Sequence, residues 1–183
     1  MTDKIIIIGP HNIDKLSLAK HIVELNDNLS IGEHFTNDSE YKNNENDNYI
    51  YYLDSQEIDL AYKNNVILSI DTQNYISYGI MMDNFYNNDI FEMSLKEFNN
   101  MSNTAFNSKS YDIIVVWVDG PIVGNDKLTK EDINESKYII DRINNGIKLM
   151  YFINESFEDI SNVIIEYLNA SEERKAEILE ENS

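Results

Sequence analysis

The chain has 183 residues, 42% hydrophobic and 26% charged, which suits one folded domain with a full core. It has no cysteine, which excludes disulfides and thiolate metal sites. Its net charge of −19 works against nucleic-acid binding, where affinity comes mainly from basic groups neutralising phosphates.

The longest apolar run, Ile5 to Ile8, is too short to span a membrane, and "MTDK" lacks the pattern of a signal peptide, so a cytoplasmic protein is expected. Lys4 to Ile8 reads as a buried strand from its continuous branched run. A helix follows, with Leu16, Leu18, Ala19, Ile22, Val23 and Leu25 at helical spacing, and it ends at Asn26 to Asn28. "LSIGEHF" suits a short strand, and Ser39 to Asn48 is a polar loop by composition. Tyr49 to Leu53 reads as a strand. Asp54 or Ser55 then caps a helix through Tyr62 that stops at Asn64 and Asn65. Strands are expected from Val66, from Tyr75 to Ile80, and over Asp89 to Met93. Ile113 to Val118 is the clearest strand of all, ending at Gly120-Pro121. Thr129 to Asn144 reads as a helix stopped at Gly146, "IKLMYFI" as a last strand, and Ser156 to Asn169 as a last core helix. The charged tail from Ser171 suits a surface helix or a frayed end. His11, His21 and His34 show no metal-ligand spacing and are expected on the surface or in loops.

Continuous apolar strands between amphipathic helices indicate an α/β fold with a central parallel sheet covered on both faces. The middle third is rich in Tyr and Asn, and its closely spaced strands read as a small antiparallel insertion. The expected layout is one domain over residues 1–170, with a core of 1–29 and 89–170, an insertion over about 30–88, and a tail at 171–183.

"GPHNIDKLS", after the first strand, follows the phosphate-loop pattern G-x-x-x-x-G-K-[ST] at Gly9 and Lys15 only. Asp14 stands where the second glycine belongs, and Leu16 where the hydroxyl belongs; Ser17 comes one place later. A carboxylate about 4 Å from a phosphate costs about 4 kcal/mol at an effective dielectric near 20. Asp14 has a second reading as the N-cap of the first helix, bonding free N–H groups near Leu16 or Ser17.

The order of the pieces resembles a guanylate kinase. "GPHNIDKLS" stands at that family's phosphate loop. "LSIGEHFTND", "YIYYLDSQEI" and "NYISYG" follow in the order of its acceptor-binding strands. "IFEMS" resembles its strand ending in aspartate, with Glu92 near that place, and "YFINESFEDISNVIIEYL" its C-terminal motif. The resemblance implies a P-loop kinase-like three-layer sandwich with a GMP-binding-like subdomain. It places catalysis on Lys15 and Arg142, and nucleotide binding on Gly9, Lys15, Ser17, Tyr49, Tyr51, Ser69, Tyr78, Gly79, Glu92 and Asn154. ATP and Mg would be the cofactors of an active kinase; no metal ligand is assigned. Each tyrosine also suits packing on a half-buried strand, Arg142 also suits pairing with a neighbouring carboxylate, and Asn154 also suits a local cap.

The chain departs from the family in three separate places. The phosphate loop carries Asp14 and Leu16. The acceptor region has Asn37 and Asp38 where the family has basic groups. The lid offers only Lys127, Lys130, Lys137 and Arg142. Phosphoryl transfer depends on all three parts. The expectation is a guanylate kinase-like protein with weak or absent catalysis, binding a protein with a basic surface or a nucleotide weakly. An active nucleotide kinase and an unrelated structural α/β protein are the alternatives.

Overall fold

In the computed structural model the described residues are 3–9, 13–42, 49–101, 112–119, 148–153 and 155–182. The expected helix over Thr129 to Asn144, its stop at Gly146, and Arg142 and Asn154 lie outside them.

Four strands form a parallel sheet in the order β6-β1-β7-β8: β1 is Lys4–Ile8, β6 Ile90–Met93, β7 Ile113–Asp119 and β8 Lys148–Ile153. β1 lies between β6 and β7, with Ile5 opposite both Ile90 and Ile114. Successive side chains of a strand point to opposite faces. One face therefore takes Ile5 and Ile7, packed with Leu18, Ala19 and Ile22 of α1 (Lys15–Leu25) and with Ile160, Ile164 and Tyr167 of α5 (Phe157–Asn169). The other takes Ile6 and Ile8, packed with Phe85 of α3 (Met82–Asn87) and with Leu95 and Phe98 of α4 (Leu95–Asn100). Burying each aliphatic side chain contributes about 1.5–3 kcal/mol, so this doubly covered strand is the centre of the fold.

The second sheet has the order β3-β2-β5-β4: β2 is His34–Thr36, β3 Ile50–Tyr52, β4 Ile67–Gln73 and β5 Ile76–Met81. It is mixed: β2 runs antiparallel to β5, as does β4, while β3 runs parallel to β2. α2 (Ser55–Lys63) connects β3 to β4, and a capping box between Asp54 and Glu57 starts it. Leu68 and Ile80 root this sheet in the core beside Ile6 and Ile8.

Several expectations shift in detail. Tyr75 is not in the strand; it forms the β4–β5 turn with Asn74, both at positive φ, 68° and 50°. Ser39–Tyr41, read as loop, makes one 3-10 turn capped by Asp38. α3 and α4 were not anticipated, because six residues carry too little periodicity to register. The charged tail forms α6 (Glu172–Glu181), docked through the buried Ile178. His34 is a correction: it is buried in β2, since β2 is covered on both faces.

Candidate functional site

The β1–α1 junction begins at Gly9. A Cβ there would lie 2.3 Å from the Val118 carbonyl oxygen, so the absence of a side chain lets the end of β1 pass β7. Asp14 caps α1. One carboxylate oxygen accepts from the Ser17 backbone N–H at 3.0 Å, and the other accepts from the Ser17 hydroxyl at 2.7 Å. Those two bonds, with smaller help from Lys20 and Lys15, hold the Asp14 carboxyl below its usual range. The hydroxyl of Ser17 is thus engaged by the residue that replaces the loop's glycine.

Lys15 is buried on the first turn of α1. Burial pushes its ammonium down from the usual range, while Glu92, Glu97 and Asp14 pull the other way, in that order. Glu92 reaches this place from β6, opposite Ile7. Glu97 comes from α4, where its Oε2 accepts from the Ser94 N–H at 2.9 Å and closes a capping box. His34 stands between the two glutamates: Nδ1 is 3.9 Å from Glu92 Oε1, and Nε2 is 3.6 Å from Glu97 Oε1. The site therefore gathers three carboxylates, one lysine and one imidazole from α1, β2, β6 and α4.

Sequence reasoning missed His34 and Glu97. The pattern Ser94-x-x-Glu97 was a legible capping signal that would have placed Glu97 at a helix start beside Glu92. Nothing local marked His34, which lies in β2 between β3 and β5 and faces Glu92 of β6 and Glu97 of α4.

The acceptor-side residues are mostly engaged within the fold. The buried Ser69 hydroxyl donates to the Glu97 carbonyl at 2.9 Å. Gly79 lets β5 cross its neighbours, since a Cβ there would lie 2.4 Å from the Ser69 carbonyl oxygen and 2.5 Å from the Phe35 ring. Asn37 donates to the Ser55 hydroxyl and the Tyr75 carbonyl and accepts from the Ser77 N–H at 2.7 Å. Tyr51 is half-buried; burial, then Glu33, raises its phenol to about 12. Tyr78 reaches Asp38 at 3.5 Å and is raised chiefly by burial. Lys20 lies 4.9 Å from the Tyr49 ring centroid. Lys15 and Glu92 come together, Gly9 and Ser17 sit at the same junction, and Ser69, Tyr78 and Gly79 share the second sheet with Tyr51, with Tyr49 beside it.

A bare triphosphate would meet repulsion from the described residues around Lys15. Asp14, Glu92 and Glu97 bring three negative charges to the lysine that would meet phosphate, and the nearby hydroxyl serves a cap. Among the described residues no group of three or more His, Asp or Glu is arranged to hold a metal ion.

No protein-family profile matches the chain, and no curated protein matches it. Among solved structures it is similar to the guanylate kinase of Anaplasma phagocytophilum. The TM-score is 0.57 and the identity 13%, over 91% of this chain and 84% of that one. The chain has a guanylate kinase-like α/β fold, built from a parallel four-stranded sheet and a mixed second sheet. No described helix is long and apolar enough to cross a membrane.

Proposed function

We propose that the chain is a guanylate kinase-like binding module with weak or absent phosphoryl transfer. Its partner would be a protein with a basic surface, and any nucleotide would bind weakly. The observation that carries this reading is the closure of Asp14 on Ser17 where a phosphate loop would hold its ligand. A carboxylate there repels the anion that the helix N-terminus would otherwise attract. The net charge of −19 favours a basic partner by long-range attraction.

The test is thermal unfolding with ATP, GTP, ADP, GMP and dGMP, each with and without Mg. A ligand at a hundred times its dissociation constant adds about 2.7 kcal/mol, which moves the midpoint of a chain this size by about 5–10 °C. A flat panel at millimolar nucleotide is expected. A second reading, an ATP- and Mg-dependent nucleotide kinase, draws on the approach of Lys15 to Glu92. Mg-dependent ADP production that Lys15→Ala removes would establish that reading and overturn the first.

A further inference from the structure

The tip of the β4–β5 hairpin carries a residue that its backbone disfavours. Gln73 pairs with Ile76, so Asn74 and Tyr75 are the two turn residues, at φ 50° and 68°. Asn suits that region and a bulky aromatic residue does not; glycine is the usual choice at the second place. Strain of this kind persists where the surroundings enforce it, and it gathers at functional positions. Here the surroundings do enforce it. Asn37 Nδ2 donates to the Tyr75 carbonyl at 3.2 Å and to the Ser55 hydroxyl at 3.1 Å, while its Oδ1 accepts from the Ser77 N–H at 2.7 Å. The Thr72 and Ser77 hydroxyls share a further hydrogen bond at 2.9 Å. The end of β2 and the start of α2 thus hold the backbone of the turn in place.

The ring has no such hold. Tyr75 is 95% exposed, and among the described residues no cation or second ring lies against it. The side chain therefore costs stability and gains no packing within the chain. Nearby tyrosines already hold cations: Lys42 Nζ lies 5.6 Å from the Tyr52 ring centroid in β3, and Lys20 Nζ 4.9 Å from that of Tyr49 just before it. The segments that brace the tip are acidic. Asp38 follows Asn37 in the chain, Asp54 precedes Ser55, and Glu40 and Glu57 are exposed shortly after them.

Given the basic partner proposed for this chain, we infer that Tyr75 is the residue that anchors it. An arginine side chain of the partner stacks on the Tyr75 ring, and the carboxylates of Asp38 and Asp54 attract the basic residues around it. A guanidinium is planar and weakly hydrated, so it suits the face of an exposed ring better than a lysine ammonium does. A turn already fixed by its neighbours presents the ring with little backbone freedom left to lose, and tyrosine has only two side-chain torsions to freeze. Tyrosine and arginine are both enriched at the centres of protein interfaces.

The experiment titrates the full chain with a fluorescein-labelled peptide of alternating arginine and glycine in about 20 mM NaCl, where charge attraction is little screened. Binding is read by fluorescence anisotropy, and the tyrosine ring protons are followed by NMR, the Tyr75 signals being assigned by their loss in Tyr75→Leu. The Tyr75 ring signals are expected to shift as the peptide binds. Tyr75→Leu keeps an apolar side chain on the same backbone but has no ring face, and it weakens binding about two- to fivefold. Tyr75→Phe keeps the ring face and binds as the parent does. Tyr62→Leu, at another exposed ring, leaves the affinity unchanged. Binding that leaves the Tyr75 signals unmoved, or parent affinity in Tyr75→Leu, would overturn the anchor and leave the basic-partner reading standing. No binding of the peptide by the parent would overturn both.

Discussion

Asp14 shows how one side chain sets the chemistry of a whole loop. Its carboxylate satisfies the N–H of Ser17 and takes the Ser17 hydroxyl as well. Asp14→Ala is expected to cost about 1 kcal/mol in urea unfolding at neutral pH, the usual value of an N-cap. The folded carboxyl lies below its ordinary value of 3.8, so the cap contributes fully above the ordinary carboxylate range and is lost as pH falls through the lowered folded value. The gap between parent and variant should therefore narrow as the comparison is carried from neutral pH down through and below the ordinary carboxylate range. A gap that stays constant from neutral to acid would contradict the cap. Gly9 was read as a phosphate-loop residue, and the structure gives it a packing role against Val118, so a glycine at that place does not by itself report a ligand.

At the scale of elements, the β4–β5 turn carries a conflict between sequence and backbone. Asn74 and Tyr75 both have positive φ, and Tyr75 is 95% exposed, so its ring offsets none of that strain by packing. Two-residue hairpins of this kind favour Asn-Gly. Tyr75→Gly is expected to stabilise the chain by about 1 kcal/mol, raising the thermal midpoint by about 2–4 °C. An unchanged or lower midpoint would mean that the turn is held by contacts the glycine disturbs. α6 makes the opposite case, a polar-looking helix that one buried residue anchors. Ile178→Ala is expected to cost about 2–5 kcal/mol in chemical unfolding. A loss below about 1 kcal/mol would show that α6 is held by its ion pairs instead. Long elements with strong periodicity, β1, α1, α2, β7 and α5, were legible in the sequence within a residue or two. α3, α4 and the burial of His34 were not, because tertiary closure decides them. The same limit applied to the site: Lys15 was marked by the phosphate-loop pattern and Glu92 by the family resemblance, Glu97 had a local capping signal in Ser94-x-x-Glu97, and His34 had no local mark.

At the scale of the whole molecule, charge is the dominant feature. Thirty-three acidic side chains face fourteen basic ones in the sequence, and self-repulsion of that size opposes compaction. Raising NaCl from about 20 to about 300 mM is expected to raise the thermal midpoint, because screening relieves repulsion at the distances between surface carboxylates. A midpoint that falls would assign more weight to pairs such as Arg174 with Glu166, Glu177 and Glu181 than to the net charge. The position of β1 has a consequence of another kind, in the order of events during synthesis. It leaves the ribosome before every other described strand, yet both of its neighbours come much later, at Ile90–Met93 and Ile113–Asp119. At ordinary rates of translation, four consecutive isoleucines stay unpaired for on the order of ten seconds. A short, uncharged, branched run is the kind of segment that joins other chains edge to edge. The strand that becomes the most protected part of the finished molecule is thus its most adhesive part while the chain is being made.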